Sequence, residues 1–233
     1  VRLVSEAVKP GVSSAELETL TVQLIREKGD EPAFLNYTPA GATRPFPAAL
    51  CFSVNEEVVH GIPNEDPRIL KEGDIVSLDC GITHRGLITD HAVTVIVGKG
   101  DERTEKLLAT TKEGLMAGIK AATGNARVGD ISAAIQAVGE REDYGIVYDL
   151  GGHGVGHVVH EEPYIANLGD AGTGPMLPPG TVVAIEPMFT EGADDVKLMP
   201  DGYTYVTMDG SRAAHFEHTI LITENSAEIL TVE

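Results

Sequence analysis

The chain has 233 residues and carries 36 Asp and Glu against 17 Lys and Arg, a formal net charge of −19. So acidic a chain lacks the basic face that phosphate contacts need and is repelled by anionic bilayers, so neither nucleic-acid nor membrane binding is expected. Hydrophobic residues at 42% suffice for a sizeable core, and no charge-free apolar run approaches the ~20 residues of a membrane span. Cys51 and Cys80 are the only cysteines and make no disulfide framework, which fits a reducing compartment, so a cytoplasmic location is expected. The start, Val1-Arg2-Leu3-Val4-Ser5-Glu6, shows no signal-peptide core and no initiator Met, and reads as a shortened chain that begins inside a helix.

In chain order, Pro10-Gly11-Val12-Ser13-Ser14 opens a helix with Ser13 or Ser14 as N-cap, and its apolar pattern runs through Leu20, Val22 and Ile25 to a stop near Gly29. Residues 30–50 contain Pro32, Pro39, Pro45, Pro47 and Gly41, the composition of a long shaped loop. Strands over Asp74–Ile82 and Leu87–Val97 flank a turn at Thr83-His84-Arg85-Gly86. An amphipathic helix is expected from Asp101 to about Gly124, and another from Val128 through Ile135 and Val138 that fades at Asp143-Tyr144-Gly145.

The second half echoes the first. Gly73-Asp74-Ile75-Val76-Ser77-Leu78-Asp79 matches Gly180-Thr181-Val182-Val183-Ala184-Ile185-Glu186: a glycine, an apolar β-branched run, then an acid. Asp90-His91-Ala92-Val93 likewise matches Glu217-His218-Thr219-Ile220, and each leads into a strand. Two ordered matches that each carry an acid imply a duplicated α+β architecture with a pseudo-twofold axis. No linker divides it, so residues 1–233 read as a single domain.

The acids are the chemistry in this pattern. With His84-Arg85 as a two-residue loop, Asp79 and Asp90 fall directly opposite each other, Cβ atoms ~4.5–5.5 Å apart. Glu186 and Glu217 repeat the arrangement. Four carboxylates at one axis repel strongly, and two divalent cations would neutralise them as in binuclear hydrolytic sites. Histidines complete such a site: Gly151-Gly152-His153-Gly154-Val155-Gly156-His157-Val158-Val159-His160 holds three, among glycines that permit close backbone approach. Of His153 and His160, one reads as a ligand and the other as an acid–base or oxyanion group. His60 ends an apolar strand at Gly61-Ile62-Pro63 and is placed to reach a cleft. His84 and His215 read as structural or surface residues. So do His91 and His218, although their echoing positions beside acids would suit support of the ligands.

In this order and spacing, Asn55-Glu56-Glu57-Val58-Val59-His60-Gly61-Ile62-Pro63, Gly152-His153-Gly154-Val155-Gly156, His160-Glu161-Glu162-Pro163, Ile185-Glu186-Pro187-Met188 and Phe216-Glu217-His218-Thr219 resemble type I methionine aminopeptidases. The resemblance implies the pita-bread fold, duplicated halves around a mainly antiparallel curved sheet with helices on its outer face. It implies a site for two divalent ions (Mn, Fe(II), Co or Zn) in which Asp79 chelates one metal, Asp90 and Glu217 bridge, and His153 and Glu186 complete the other. A hydroxide between the metals would be the nucleophile and Glu186 the base. His160 would steady the scissile carbonyl, and His60 would contact the departing nitrogen. The implied partner is the N-terminal peptide of a nascent protein, met by a monomeric enzyme.

Tyr37, Phe46, Cys51, Val159 and Tyr203 match the methionine pocket. Val159 stands where the family usually has phenylalanine and Tyr203 where tryptophan is common, while extra residues lengthen the loop between Tyr37 and Phe46. These departures bear on selectivity for methionine. Two rivals share the architecture. One is an X-Pro aminopeptidase or prolidase, to which His157 lends a slight likeness. The other is a non-catalytic pita-bread protein that binds peptides, although such relatives lose the ligands present here.

Overall fold

The structure is a computed structural model and describes residues 1–232. The helix Ser14–Glu27 starts where the sequence allowed, with Ser13 as N-cap. The Ser13 side chain accepts from the Ala15 N–H at 3.1 Å, and Glu16 accepts from the Ser13 N–H at 2.8 Å, a reciprocal cap. Ser14 is buried instead, donating to the Pro63 carbonyl at 2.6 Å and accepting from the Arg68 N–H at 3.0 Å. The helix Val128–Arg141 repeats half of this device, its Asp130 accepting from the Arg127 N–H at 2.7 Å. Both helix starts also make an isolated antiparallel bridge, Ser13 to Ile69 and Arg127 to Met176, ahead of the strands Ile75–Asp79 and Val182–Ile185. The doubling read in the sequence is a doubling of structure.

Two main clusters make the core, the larger one reaching across to Ile75 of the first half. Leu17, Ile25, Leu50, Phe52, Leu70, Val76 and Leu78 pack together in the first. In the second, the helix Glu102–Ala121 and the helix Val128–Arg141 lay Leu107, Leu115, Ile119, Ile131 and Ile135 against Val183, Ile185, Phe189 and Ile220. Burial at Leu107, Thr111, Gly114, Leu115 and Gly118 follows the helical period expected of that long helix.

The sheets are antiparallel throughout. In the first half the order is Cys51–Val54, Ile75–Asp79, Ala92–Ile96. In the second it is Glu161–Ala166, Gly151–Gly154, Val182–Ile185, His218–Ile222, Ala227–Ile229. The halves meet where the Glu217 N–H donates to the Ala92 carbonyl at 2.9 Å and the Asp90 N–H donates to Thr219 Oγ1 at 2.8 Å. Between these bonds the rings of His91 and His218 stack, centroids 4.7 Å apart and planes 5° from parallel, which marks the pseudo-twofold axis.

The first hairpin corrects one expectation. Its loop is Arg85-Gly86, with φ of 50° and 82°, and His84 pairs with Leu87. A two-residue turn that matches strand twist needs positive φ at both positions, and placing Gly86 inside the loop meets that need better than placing His84 there. The ladder therefore shifts by two: Asp79 faces Ala92, and Asp90 is its diagonal neighbour on the same face. In the second half Ile185 pairs with His218, so the next step of that register sets Glu186 opposite Glu217.

The long loop over residues 30–50 is tied down by a buried acid. Glu18, 8% exposed, accepts from the N–H groups of Ala49 and Leu50 at 2.8 and 2.9 Å. Glu18→Ala would strand two buried donors and is expected to lower unfolding free energy by about 2–4 kcal/mol. Urea titration checks this, and a loss below about 1 kcal/mol would show that the loop stays in place without the tie.

Candidate metal centre and active site

Strand ends deliver the acids. Asp79 closes Ile75–Asp79, Asp90 precedes Ala92–Ile96, Glu186 follows Val182–Ile185, and Glu217 precedes His218–Ile222. All four are buried, at 7, 3, 9 and 2% exposure. His153 joins them from Gly151–Gly154, pairing with Ala184 in the ladder. Its glycine neighbours are required there: a Cβ on Gly152 would lie 2.2 Å from the Ala184 carbonyl oxygen, and one on Gly154 2.3 Å from that of Glu162. Asp90, His153 and Glu217 each offer a ligand atom within 4.8 Å of the others, and His153 Nε2 lies 3.4 Å from Glu186 Oε1.

The electrostatics of the site favour positive charge. Burial raises the carboxyls of Asp79, Glu186 and Glu217 well above the usual range, and the charge of Asp90 beside each raises them further. Burial also lifts Asp90 to about 6, against the lowering effect of bonds from Asp79 and the His91 N–H. Among the described residues, Asp79 Oδ1 and Glu217 Oε1 are buried without a hydrogen-bond donor, and only histidines stand within ion-pair distance of Glu186 and Glu217. Burial, with the nearby His160, lowers His153 to about 4, so its imidazole is neutral and has a lone pair to give. Four carboxylates and one neutral imidazole, with oxygens unpaired in the interior, fit divalent cations.

Of the two readings of His215, structural or surface, the structure excludes the surface one. It is 1% exposed, with Nε2 3.5 Å from Glu186 Oε2 and 4.0 Å from Glu217 Oε2. Burial, followed by the neighbouring His60, His91 and His153, lowers its pKa to about 3. The signal was available, since a residue two before Glu217 on extended chain shares its face. His91 and His218 form the stacked pair on the axis, and His91 Nδ1 meets the Glu217 carbonyl. His84 pairs with Asp30 at the surface, and His157 is exposed, its N–H bonded to Glu161.

Above the acids lies a narrow cavity of about 60 Å³, walled by Tyr37, Phe46, Cys51, Val159 and Tyr203, together with Phe34 and Pro39, which sequence reasoning missed. Phe46 and Tyr203 meet edge to face at 5.1 Å, and Cys51 pairs with Asp79 across the ladder. On the far side of His60, His153, His160 and Glu186 opens a wider groove of about 430 Å³, bordered by Val59, Asp149, Glu161, Glu162, Tyr164 and Met188. His60 takes a left-handed backbone, φ 59°, which turns it to the junction of the two cavities. Its pKa falls to about 4 through burial and then the nearby His160. The His160 ring meets His153 edge-on at 4.4 Å, and its Nδ1 lies 2.9 Å from the Tyr37 hydroxyl. An aromatic-walled cavity with an acidic floor thus adjoins a wider groove, and His60, His153, His160 and Glu186 line both.

Comparison with known proteins agrees with this geometry. Metallopeptidase family M24 matches residues 1–224. A methionine aminopeptidase of Aquifex aeolicus is 45% identical over 233 residues, covering 99% of this chain and 90% of the relative. The crystal structure of a methionine aminopeptidase from Thermotoga maritima superposes with a TM-score of 0.94 at 47% identity, covering all of this chain and 90% of that one, and carries the expected pita-bread architecture. A prolidase from Pyrococcus furiosus, at 21% identity and TM-score 0.73, covers 99% of this chain and 58% of its own, a likeness of fold alone. With the family matched over almost the entire sequence and relatives this similar along its length, the chain belongs to metallopeptidase family M24.

Proposed function

We propose that the protein is a methionine aminopeptidase that removes the initiator methionine from N-terminal peptides whose second residue is small. The observation that carries this reading is the placement of four buried carboxylates and His153 at the floor of an aromatic-walled cavity, beside a wider groove. Asp79, Asp90, His153, Glu186 and Glu217 would hold two divalent ions. Once bound, such ions supply Lewis acidity and nucleophile activation at neutral pH.

The chain's own residues do the rest. The aromatic walls and Cys51 receive the methionine side chain, and the free amino terminus of the substrate binds beside the acids, so that only the first residue is removed. Glu186 takes the proton of the attacking water on its carboxylate. His160 donates to the scissile carbonyl oxygen as negative charge develops there, and His60 contacts the nitrogen of the departing residue. The departing peptide leaves along the groove. Crowding of His60, His153 and His160 at its entrance supports a small second residue. Among the described residues no helix is long and apolar enough to cross a membrane.

Release of residues from Met-Ala-Ser and Ala-Pro-Ser, in Mn, Co, Fe(II) or Zn with a chelator control, tests the assignment. Free methionine from the first peptide alone is expected. Cleavage only before proline would place the protein with the X-Pro enzymes, and silence on both with metal bound would point to a reshaped pocket or a non-catalytic role. Asp90→Asn is expected to abolish turnover while circular dichroism stays that of the wild type; full activity would contradict the ligand assignment. His160→Ala is expected to lower kcat about 10²–10³-fold with KM little changed, and a pure KM effect would remove its role in the transition state.

A further inference from the structure

Tyr37 does more than wall the pocket. Its hydroxyl lies 2.9 Å from His160 Nδ1, and the two rings meet at 5.4 Å with planes 56° apart. We infer that the Tyr37 hydroxyl donates to His160 Nδ1 and so holds His160 in the tautomer that carries its proton on Nε2, the nitrogen left to face the substrate. This positioning role rests on the proposed function, in which His160 must donate to a carbonyl oxygen.

The chemistry of a neutral imidazole forces the choice. One ring nitrogen carries a proton and the other a lone pair, and the bond made at one fixes the state of the other. Burial, followed by Tyr203, raises the pKa of Tyr37, so the phenol keeps the proton it donates. Were the proton on Nδ1, Nε2 would turn a lone pair toward the substrate oxygen and repel it as charge develops.

The donor is fixed before substrate arrives. The Tyr37 N–H donates to the Phe34 carbonyl at 2.9 Å, and its own carbonyl accepts from the Phe46 N–H at 2.8 Å. The Asn36 N–H, donating to the Phe46 carbonyl at 2.9 Å, closes the base of the lengthened loop. Arg44 clamps the far arm, Nη2 donating to Glu65 at 2.8 Å and to the Asp201 carbonyl at 2.9 Å, while its own carbonyl accepts from the Tyr203 hydroxyl. Preorganisation of this kind lets His160 donate without reorienting during the reaction.

Long-range ¹H–¹⁵N spectra of the zinc-loaded protein labelled at histidine read the tautomer directly, with the His160 signals assigned by their loss in His160→Ala. The proton is expected on Nε2 in the wild type, and an Nδ1 proton would overturn the proposal whatever the peptide assays give. In Tyr37→Phe, which keeps the ring and the pocket wall, kcat on Met-Ala-Ser is expected to fall about tenfold with KM nearly constant. The same change in a His160→Ala background should have no further effect on kcat. An unchanged kcat in Tyr37→Phe, a loss confined to KM, or an equal loss in both backgrounds would overturn it. Wild-type protein inactive on Met-Ala-Ser would overturn the proposed function instead, leaving the spectrum to decide the tautomer. If Tyr37→Phe does not fold, the wild-type spectrum decides alone.

Discussion

Four carboxylates buried within one junction are the constraint on which the structure turns. Removing a single charge from water costs several kcal/mol, and gathering four without a lysine or arginine beside them adds mutual repulsion. Among the described residues, the groups within ion-pair distance of Glu186 and Glu217 are histidines that burial keeps neutral. The acids stay together because each sits at the end or start of a strand whose apolar residues are locked in a core. The energy of those cores holds the ligands in a geometry they would not adopt alone. Divalent cations would neutralise what the fold has concentrated.

The doubling explains how one chain builds such a junction. Each half contributes a strand pair with an acid on each member, and the halves are joined by the bonds from Glu217 to Ala92 and from Asp90 to Thr219. His91 and His218 stack where the axis passes. Function departs from the symmetry. His153 and His160 come from the second half, and the loop with Tyr37 and Arg44 comes from the first. A symmetric floor of acids thus underlies an asymmetric cleft.

Much of this was legible in the residues. The acids announced themselves because they interrupt apolar β-branched runs at matching places, and glycines around His153 signalled close strand contact. The register of the first hairpin was misread because apolar alternation is unchanged by a shift of two, and only the φ demand at Arg85-Gly86 separates the alternatives. His215 was missed because a buried histidine carries no mark of burial in its own letter; its spacing from Glu217 held the clue. Phe34 and Pro39 lie on a loop without period, where no pattern tells which side chains turn inward. The contact of Tyr37 with His160 spans 123 positions and is visible only in three dimensions.

The account stands or falls on whether these acids are a metal site. Protein stripped with chelator and dialysed should unfold at a lower temperature than protein returned to excess manganese, by about 5 °C or more, because an ion that binds only the folded state stabilises it. Calorimetric titration of the stripped protein should saturate near two equivalents, and Asp90→Asn with Glu217→Gln should lose both the heat and the stabilisation. A stripped protein that binds no metal and melts at the same temperature with and without it would contradict the account.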